Sequence, residues 1–316
     1  MSKIKEITKD LDASIKKDIK ETTKSEKKSF LYKKNIGISV SESQDIEELG
    51  FSKIHQQDII LELSRYLLIN GGTLIYGGDL RAQGYTFLFS ELVEQYVYRR
   101  GNTNHFRNYF SFPLYVDMPI KHKLDFKKNG IEIINVPPPN HIKVDLQKFY
   151  SPVNNDNLFI WAESLTEMRT KMCKESDARI LMGGASTNFK GKYPGLLEEA
   201  ILSLTNNIPT YLIGAFGGIT KSIIECLKGR VSQELTQEWQ MSSNAAYSDF
   251  VKFYNAKQDT KKIDYSIVLD VLRRWDAKAL SENNGLTVEE NERLFETIHL
   301  PEIIFLVLKG LKNKLD

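Results

Sequence analysis

Four apolar segments of this chain end in glycine or serine, and helically spaced stretches separate them. NIGISVS (35–41), TLIYGG (73–78), DARILMGG (177–184) and IPTYLIGAFGG (208–218) are aliphatic runs of strand length closed by small residues. FSFPLYV (110–116), IEIINV (131–136) and HIKVD (141–145) read as further strands. Between them, Ile54, Ile59, Ile60, Leu63, Leu67 and Leu68 form one helical stripe, and Phe87, Leu88, Leu92, Val93 and Tyr96 another. Further helices are expected over 159–175, 195–204 and 219–227. Strands that alternate with helices of roughly 10–15 residues imply βαβ units. The expected fold is therefore α/β: a Rossmann-like, mainly parallel sheet with helices on both faces.

Two other textures flank this region. After Gly229 no strand pattern remains, and 230–316 reads as three or four helices. Among them are YSIVLDVLRRW (265–275), a helix capped by Thr287 with Glu290, and an apolar helix opened by Pro301. At the other end, Ile4, Ile7, Leu11, Ile15 and Ile19 make a thin stripe in a Lys-rich stretch, which suits a solvated or oligomer-supporting helix. The chain thus divides into a basic helical arm (1–33), a sheet domain (34–228) and a helical C-terminal extension (229–316) packing on it. Residues 1–34 hold eleven Lys against six acids, so the net positive excess sits there and the overall balance is only +2. That balance gives no global nucleic-acid footprint, and no nucleic-acid partner is expected. No apolar run approaches the ~20 residues of a membrane span, and no signal-peptide core is visible. Cys173 and Cys226 form no framework. A cytoplasmic protein is expected.

In a parallel sheet the small-residue endings share one carboxyl edge, where doubly wound folds bind ligands. Glycine lets backbone approach a ligand, and helix N-termini attract phosphate. Ser41, Gly77, Gly78, Gly183, Gly184, Gly217 and Gly218, with Phe216 inside the last turn, are the candidate ligand-facing residues. Asp79 and Arg81 after YGG either contact ribose and phosphate or cap the next helix. The absence of GxxxxGK[ST], of GxGxxG after the first strand and of GxSxG argues against a P-loop ATPase, a standard NAD(P) oxidoreductase and an α/β-hydrolase. Five scattered histidines show no metal-ligand spacing, so no metal is expected.

A second constellation lies in EMRTKMCKESDARILMGGASTNFKGKYPGLLEEAILSL (167–204). Arg169 precedes a strand, Gly183-Gly184 end it, and Gly195 opens a helix bearing Glu198 and Glu199. An arginine holds a phosphate through paired donors. A first-turn glutamate binds ribose or acts as general acid/base, although the helix dipole alone also favours it there. Lys190 would add charge for a phosphate. Trp161, Trp239 and Trp275, and the aromatics of 106–115, read as packing residues. Cys173 reads as a bystander.

The order of these motifs resembles the SLOG superfamily, named after Smf/DprA and the LOG nucleotide phosphoribohydrolases. In LOG enzymes M-x-x-R-K-x-x-M precedes a strand ending in P-G-G-x-G-T-x-x-E. By position Arg169 matches the family arginine, Glu199 its glutamate with Glu198 beside it, and Gly183-Gly184 the phosphate-side glycines. Gly77-Gly78 match the YGG of the second strand. The resemblance spans 35–227. It departs where ASTNFKGKYP is inserted before Gly195, where Leu196 replaces the Thr of the turn, and where Met182 replaces its Pro. These departures, the GAFGG turn and the extension look more like SLOG branches of prokaryotic conflict systems.

The resemblance implies a nucleotide-signal sensor in anti-phage defence, recognising an NAD-derived, ADP-ribose-like or cyclic nucleotide. No cofactor would be required. A homo-oligomer and a separate effector or signal-producing protein are its expected partners. The alternative is a LOG-like nucleotide N-glycosidase with Arg169 and Glu199 catalytic. A third reading is a scaffold whose glycine turns are blocked by side chains such as Phe216 or Tyr85.

Overall fold

The computed structural model describes residues 29–100 and 105–316; of the basic arm, residues 1–28 lie outside the described part. Among the described residues six strands make one sheet: β1 (Asn35–Ser41), β2 (Thr73–Gly77), β3 (Phe106–Ser111), β4 (Ile131–Val136), β5 (Ala178–Gly183) and β6 (Thr210–Ile213). Every pairing is parallel, and the spatial order is β4-β3-β2-β1-β5-β6. The chain walks outward from β1 to β4, then crosses back to add β5 on the other side of β1. The order reverses between β1 and β5, which makes that seam the topological switch point.

Helices α1 (Lys53–Ile69), α2 (Tyr85–Arg100), α3 (Phe112–Asp117) and α4 (Ile120–Lys128) connect the first four strands. The crossover is α5 (Asn155–Lys174), followed by α6 (Gly195–Thr205) and α7 (Gly218–Leu227). Alternation along the strands feeds two cores. Ile36, Ile38 and Val40 of β1 join Ile180 and Met182 of β5 and the apolar stripe of α1 on one face. Leu181 and Leu212 point to the opposite face, under α6 and α7. At the β2–β3–β4 end the same face packs Ile75, Tyr109 and Val136 against Met168 and Met172 of α5. Such two-sided burial is why the strands read as nearly continuous apolar runs.

Beyond Gly229 the structure forms six α-helices, α8 (Gln237–Ser243), α9 (Ala245–Lys257), α10 (Tyr265–Arg273), α11 (Ala277–Asn284), α12 (Val288–Glu296) and α13 (Leu300–Leu315), plus a 3₁₀ turn at Gln233–Leu235. The sequence reading of three or four undercounts them. Side chains of Asn244, Asp264, Asp276 and Thr287 each accept a bond from the next helix's backbone and start it afresh. These helices complete both cores: Tyr247, Phe250 and Tyr254 lie on the α6–α7 face, and Leu294, Ile303 and Val307 on the α1 face.

Two expected strands are corrected. FSFPLYV is a strand only to Ser111; Phe112–Asp117 is helical, with Pro113 at its start. Proline cannot donate to a ladder but suits the first helical turn. HIKVD forms no strand: 141–145 lie in a coil after the three prolines 137–139.

Candidate ligand site at the sheet switch point

At the carboxyl end of the β1–β5 seam the glycine pairs interlock. Gly184 N–H donates to the Ser41 carbonyl at 2.9 Å, and Ile219 N–H donates to the Gly184 carbonyl at 2.9 Å. Ala185 N–H reaches the Ser41 hydroxyl at 3.3 Å. Gly184 and Gly218 adopt φ of 102° and 63°, where an L side chain is strained. A Cβ on Gly218 would stand 2.4 Å from the Gly184 carbonyl oxygen. Ser41, Gly183, Gly184, Gly217 and Gly218 are therefore brought together, joining the β1, β5 and β6 ends into one platform.

A crevice of about 430 Å³ opens beside this platform. The β1–α1 loop contributes Gln44, Asp45 and Glu48, and the β5–α6 loop contributes Ser186 and Thr187. Gly218, Lys221, Ser222 and Glu225 come from α7, and Glu234 and Trp239 from the region after Gly229. Asp45 is the residue seated on the glycine turn: the Gly218 N–H donates to its Oδ1 at 2.9 Å. The Glu234 carboxylate accepts the Ser222 hydroxyl at 3.4 Å and, more closely, that of Ser232. The Arg230 guanidinium hydrogen-bonds Glu225 and holds its carboxyl below the usual range.

The second constellation sits in the interior. Arg169 on α5 donates to Glu198, with its Nε 3.6 Å from Glu199. Glu199 accepts from the Ser39 hydroxyl and from Arg179 Nη1 at 2.9 Å, and Thr166 donates to Glu198. Arg179 is wholly buried, and Arg169, Glu198 and Glu199 are at most 8 % exposed. Gly195 leaves room for the Arg169 guanidinium, because a Cβ there would meet it at 2.9 Å. Two arginines and two glutamates thus neutralise one another under the 185–194 insertion, with their carboxylates engaged by protein.

A family model matches across this architecture: SLOG cluster2, over residues 30–294. The chain belongs to that SLOG family. No curated protein and no solved structure matches it. The SLOG match runs from just before β1 into α12, so it includes Glu234 and Trp239, which wall the crevice from beyond Gly229.

The other residues singled out in this SLOG chain lie apart from the crevice. Gly77 faces Met168 and Met172, and Gly78 faces Phe110 and Asn108. Asp79 accepts from Arg81 N–H at 3.1 Å, lies 3.4 Å from its guanidinium and accepts the Tyr76 hydroxyl at 3.1 Å. Those bonds fold the β2–α2 loop on itself. Lys190 stacks over Trp161, 4.5 Å from the ring centroid. Phe216 is buried against Phe51 at 5.1 Å between centroids. Tyr85 is likewise buried, and burial pushes its hydroxyl pKa up. Cys173 is buried and its thiol is pushed up by that burial, which leaves little thiolate.

Reading the sequence missed Arg179, Ser39, Asp45, Glu234 and Trp239. Arg179 carried a usable signal, since a charge inside the apolar run ARILMG needs a buried partner. Gly37, Ser39 and Ser41 alternate small residues on one β1 face, marking where that partner network fits. Asp45, Glu234 and Trp239 carried none: they come from three segments joined only by the fold. Among the described residues, no group of three or more His, Cys, Asp or Glu is placed to hold a metal ion, and no helix is long and apolar enough to cross a membrane.

Proposed function

We propose that this SLOG chain is a nucleotide-signal sensor, which binds its ligand at the β1–β5 switch point and does not cleave it. The observation that carries this reading is the separation of two functions in space. The open crevice lies over the carboxyl edge with hydroxyls, carboxylates and an indole on its walls. The residues that match the LOG catalytic pair, Arg169 and Glu199, are not on those walls and are consumed by a buried ion network. A glycosidase requires its glutamate within hydrogen-bond reach of an anomeric carbon. A sensor requires only a lined pocket and an assembly that the ligand biases, by differential affinity for two states.

The crevice suits that role because it is composite. Its walls come from the β1–α1 loop, the β5–α6 loop, α7 and the segment after Gly229, so an occupant bridges parts of the chain distant in sequence. A shift in homo-oligomer equilibrium, read by a separate effector, is the output we assign. An NAD-derived, ADP-ribose-like or cyclic nucleotide signal in prokaryotic defence is the ligand class implied by the SLOG resemblance.

The test is incubation of the purified protein with AMP, NAD, ADP-ribose and cyclic ADP-ribose isomers, with melting temperature and product chromatography read on the same samples. The sensor reading expects a raised melting temperature with the ligand recovered intact. Release of free base, abolished by Glu199→Ala, would overturn it in favour of the N-glycosidase.

A further inference from the structure

We infer that the switch-point crevice takes the nucleoside end of its ligand, ribose hydroxyls and base, and leaves any phosphate outside. This inference rests on the nucleotide-binding reading above and gives the bound ligand a direction. Two observations carry it.

The first concerns the seat that a phosphate would use. In doubly wound folds that seat is a glycine turn at a helix N-terminus. Here two such turns meet: after Gly183-Gly184 the N–H groups of Gly184 and Ala185 are given to the Ser41 carbonyl and hydroxyl, and at the turn into α7 the Gly218 N–H is already held by the Asp45 carboxylate at 2.9 Å. The next N–H, that of Ile219, is given to the Gly184 carbonyl. A phosphate arriving at this end would have to displace an anion tethered to the same chain.

The second is the sign of the walls. Asp45, Glu48, Glu225 and Glu234 line the crevice, and among the described residues of the lining Lys221 is the one cation. Arg230 pairs with Glu225, which leaves three carboxylates against one ammonium. Like charges at a few ångströms repel a phosphate, whereas a carboxylate accepts hydrogen bonds from vicinal hydroxyls and exocyclic amines. Trp239 offers a flat apolar surface on which a base stacks without regard to its sequence identity.

The experiment is calorimetric titration of the full chain with adenosine, guanosine and nicotinamide riboside, each beside its 5′-monophosphate, at about 25 mM and about 300 mM salt. The expected result is that a nucleoside binds about threefold or more tightly than its monophosphate at low salt, and that the gap narrows at high salt as the repulsion is screened. Glu48→Gln, at an exposed position, narrows the same gap at low salt. Affinity that rises on adding the phosphate, or that ignores both phosphate and salt, overturns the inference and leaves the nucleotide-binding reading standing. Failure of every nucleoside and monophosphate, and of NAD, ADP-ribose and the cyclic ADP-ribose isomers in the same titration, overturns that reading, and the inference with it.

Discussion

Arg179, buried in β5 with none of its surface exposed, reaches across to Glu199 on α6 at 2.9 Å. The reach depends on β1, where Gly37 leaves space: a Cβ there would stand 3.1 Å from the guanidinium carbon. The pair ties the central strands to α6 and fixes the helix that follows the 185–194 insertion. Arg179→Leu should therefore destabilise the fold by about 3 kcal/mol or more, since Glu199 would be left buried without its closest cation. Urea denaturation measures this, and a loss below about 1 kcal/mol would mean that water or Arg169 satisfies Glu199 unaided.

Gly37→Ala is the steric counterpart. Its methyl group forces either the guanidinium or β1 to shift, and overpacking of this kind destabilises by about 1–3 kcal/mol. In an Arg179→Leu background the same alanine should cost less but not nothing, because the guanidinium is gone while Ser176 Oγ, also 3.1 Å from that Cβ, remains. A double-mutant cycle with no coupling would show that the clash is relieved elsewhere.

A buried cluster on the same face of the sheet predicts an acid limb. Burial opposes ionisation of Glu163, but Lys192 at 2.8 Å and the hydroxyl of Tyr254 outweigh it and hold its carboxyl below the ordinary range. His141 faces the other carboxylate oxygen at 2.9 Å. A carboxyl that titrates lower in the folded chain contributes stability above the unfolded value, and that contribution disappears as pH falls through the folded one. The urea midpoint of Glu163→Gln should lie below wild type at pH 6 and converge with it as pH drops below about 4.5. A gap that stays constant down to pH 3.5 would assign the effect to packing instead.

The Asp45–Gly218 contact predicts a trade between stability and anion binding. Asp45→Ala removes a carboxylate from a helix N-terminus and should lower stability by about 1 kcal/mol. It also frees the Gly218 N–H at the start of α7, so inorganic phosphate should raise the melting temperature of the variant more than that of the wild type. An equal phosphate response in both proteins would show that the seat lies elsewhere.

Much of the fold was legible because its strands are continuous apolar runs with small-residue ends. The periodicity of TLIYGG or DARILMGG leaves little choice about their state, and their alternation with helices predicts a parallel sheet. Phe112–Asp117 escaped because its aromatics have strand propensity, and only Pro113 hinted at a helix start. The site was legible at the platform, where Ser41, Gly184 and Gly218 declare themselves as turn residues. It was illegible at the walls. Trp239 looks like an ordinary helical packing residue until the chain after Gly229 folds back over the sheet edge and sets it beside Ser186 and Lys221. Arg169 and Glu199 match a catalytic pattern in sequence, yet only their burial shows that Arg179 and Ser39 share the network.

Trp239 offers the most direct reading of where the ligand sits. With 5-fluorotryptophan incorporated, Trp161, Trp239 and Trp275 give separate ¹⁹F resonances, and Trp239→Phe assigns the one in the crevice. Titration with whichever nucleoside or nucleotide raises the melting temperature should move the Trp239 resonance, while Trp161, 4.5 Å beneath Lys190 and away from the crevice, stays in place. Movement of Trp239 with the ligand recovered intact is the result the sensor account predicts. Binding that leaves Trp239 unmoved would contradict it and place the ligand outside the switch point.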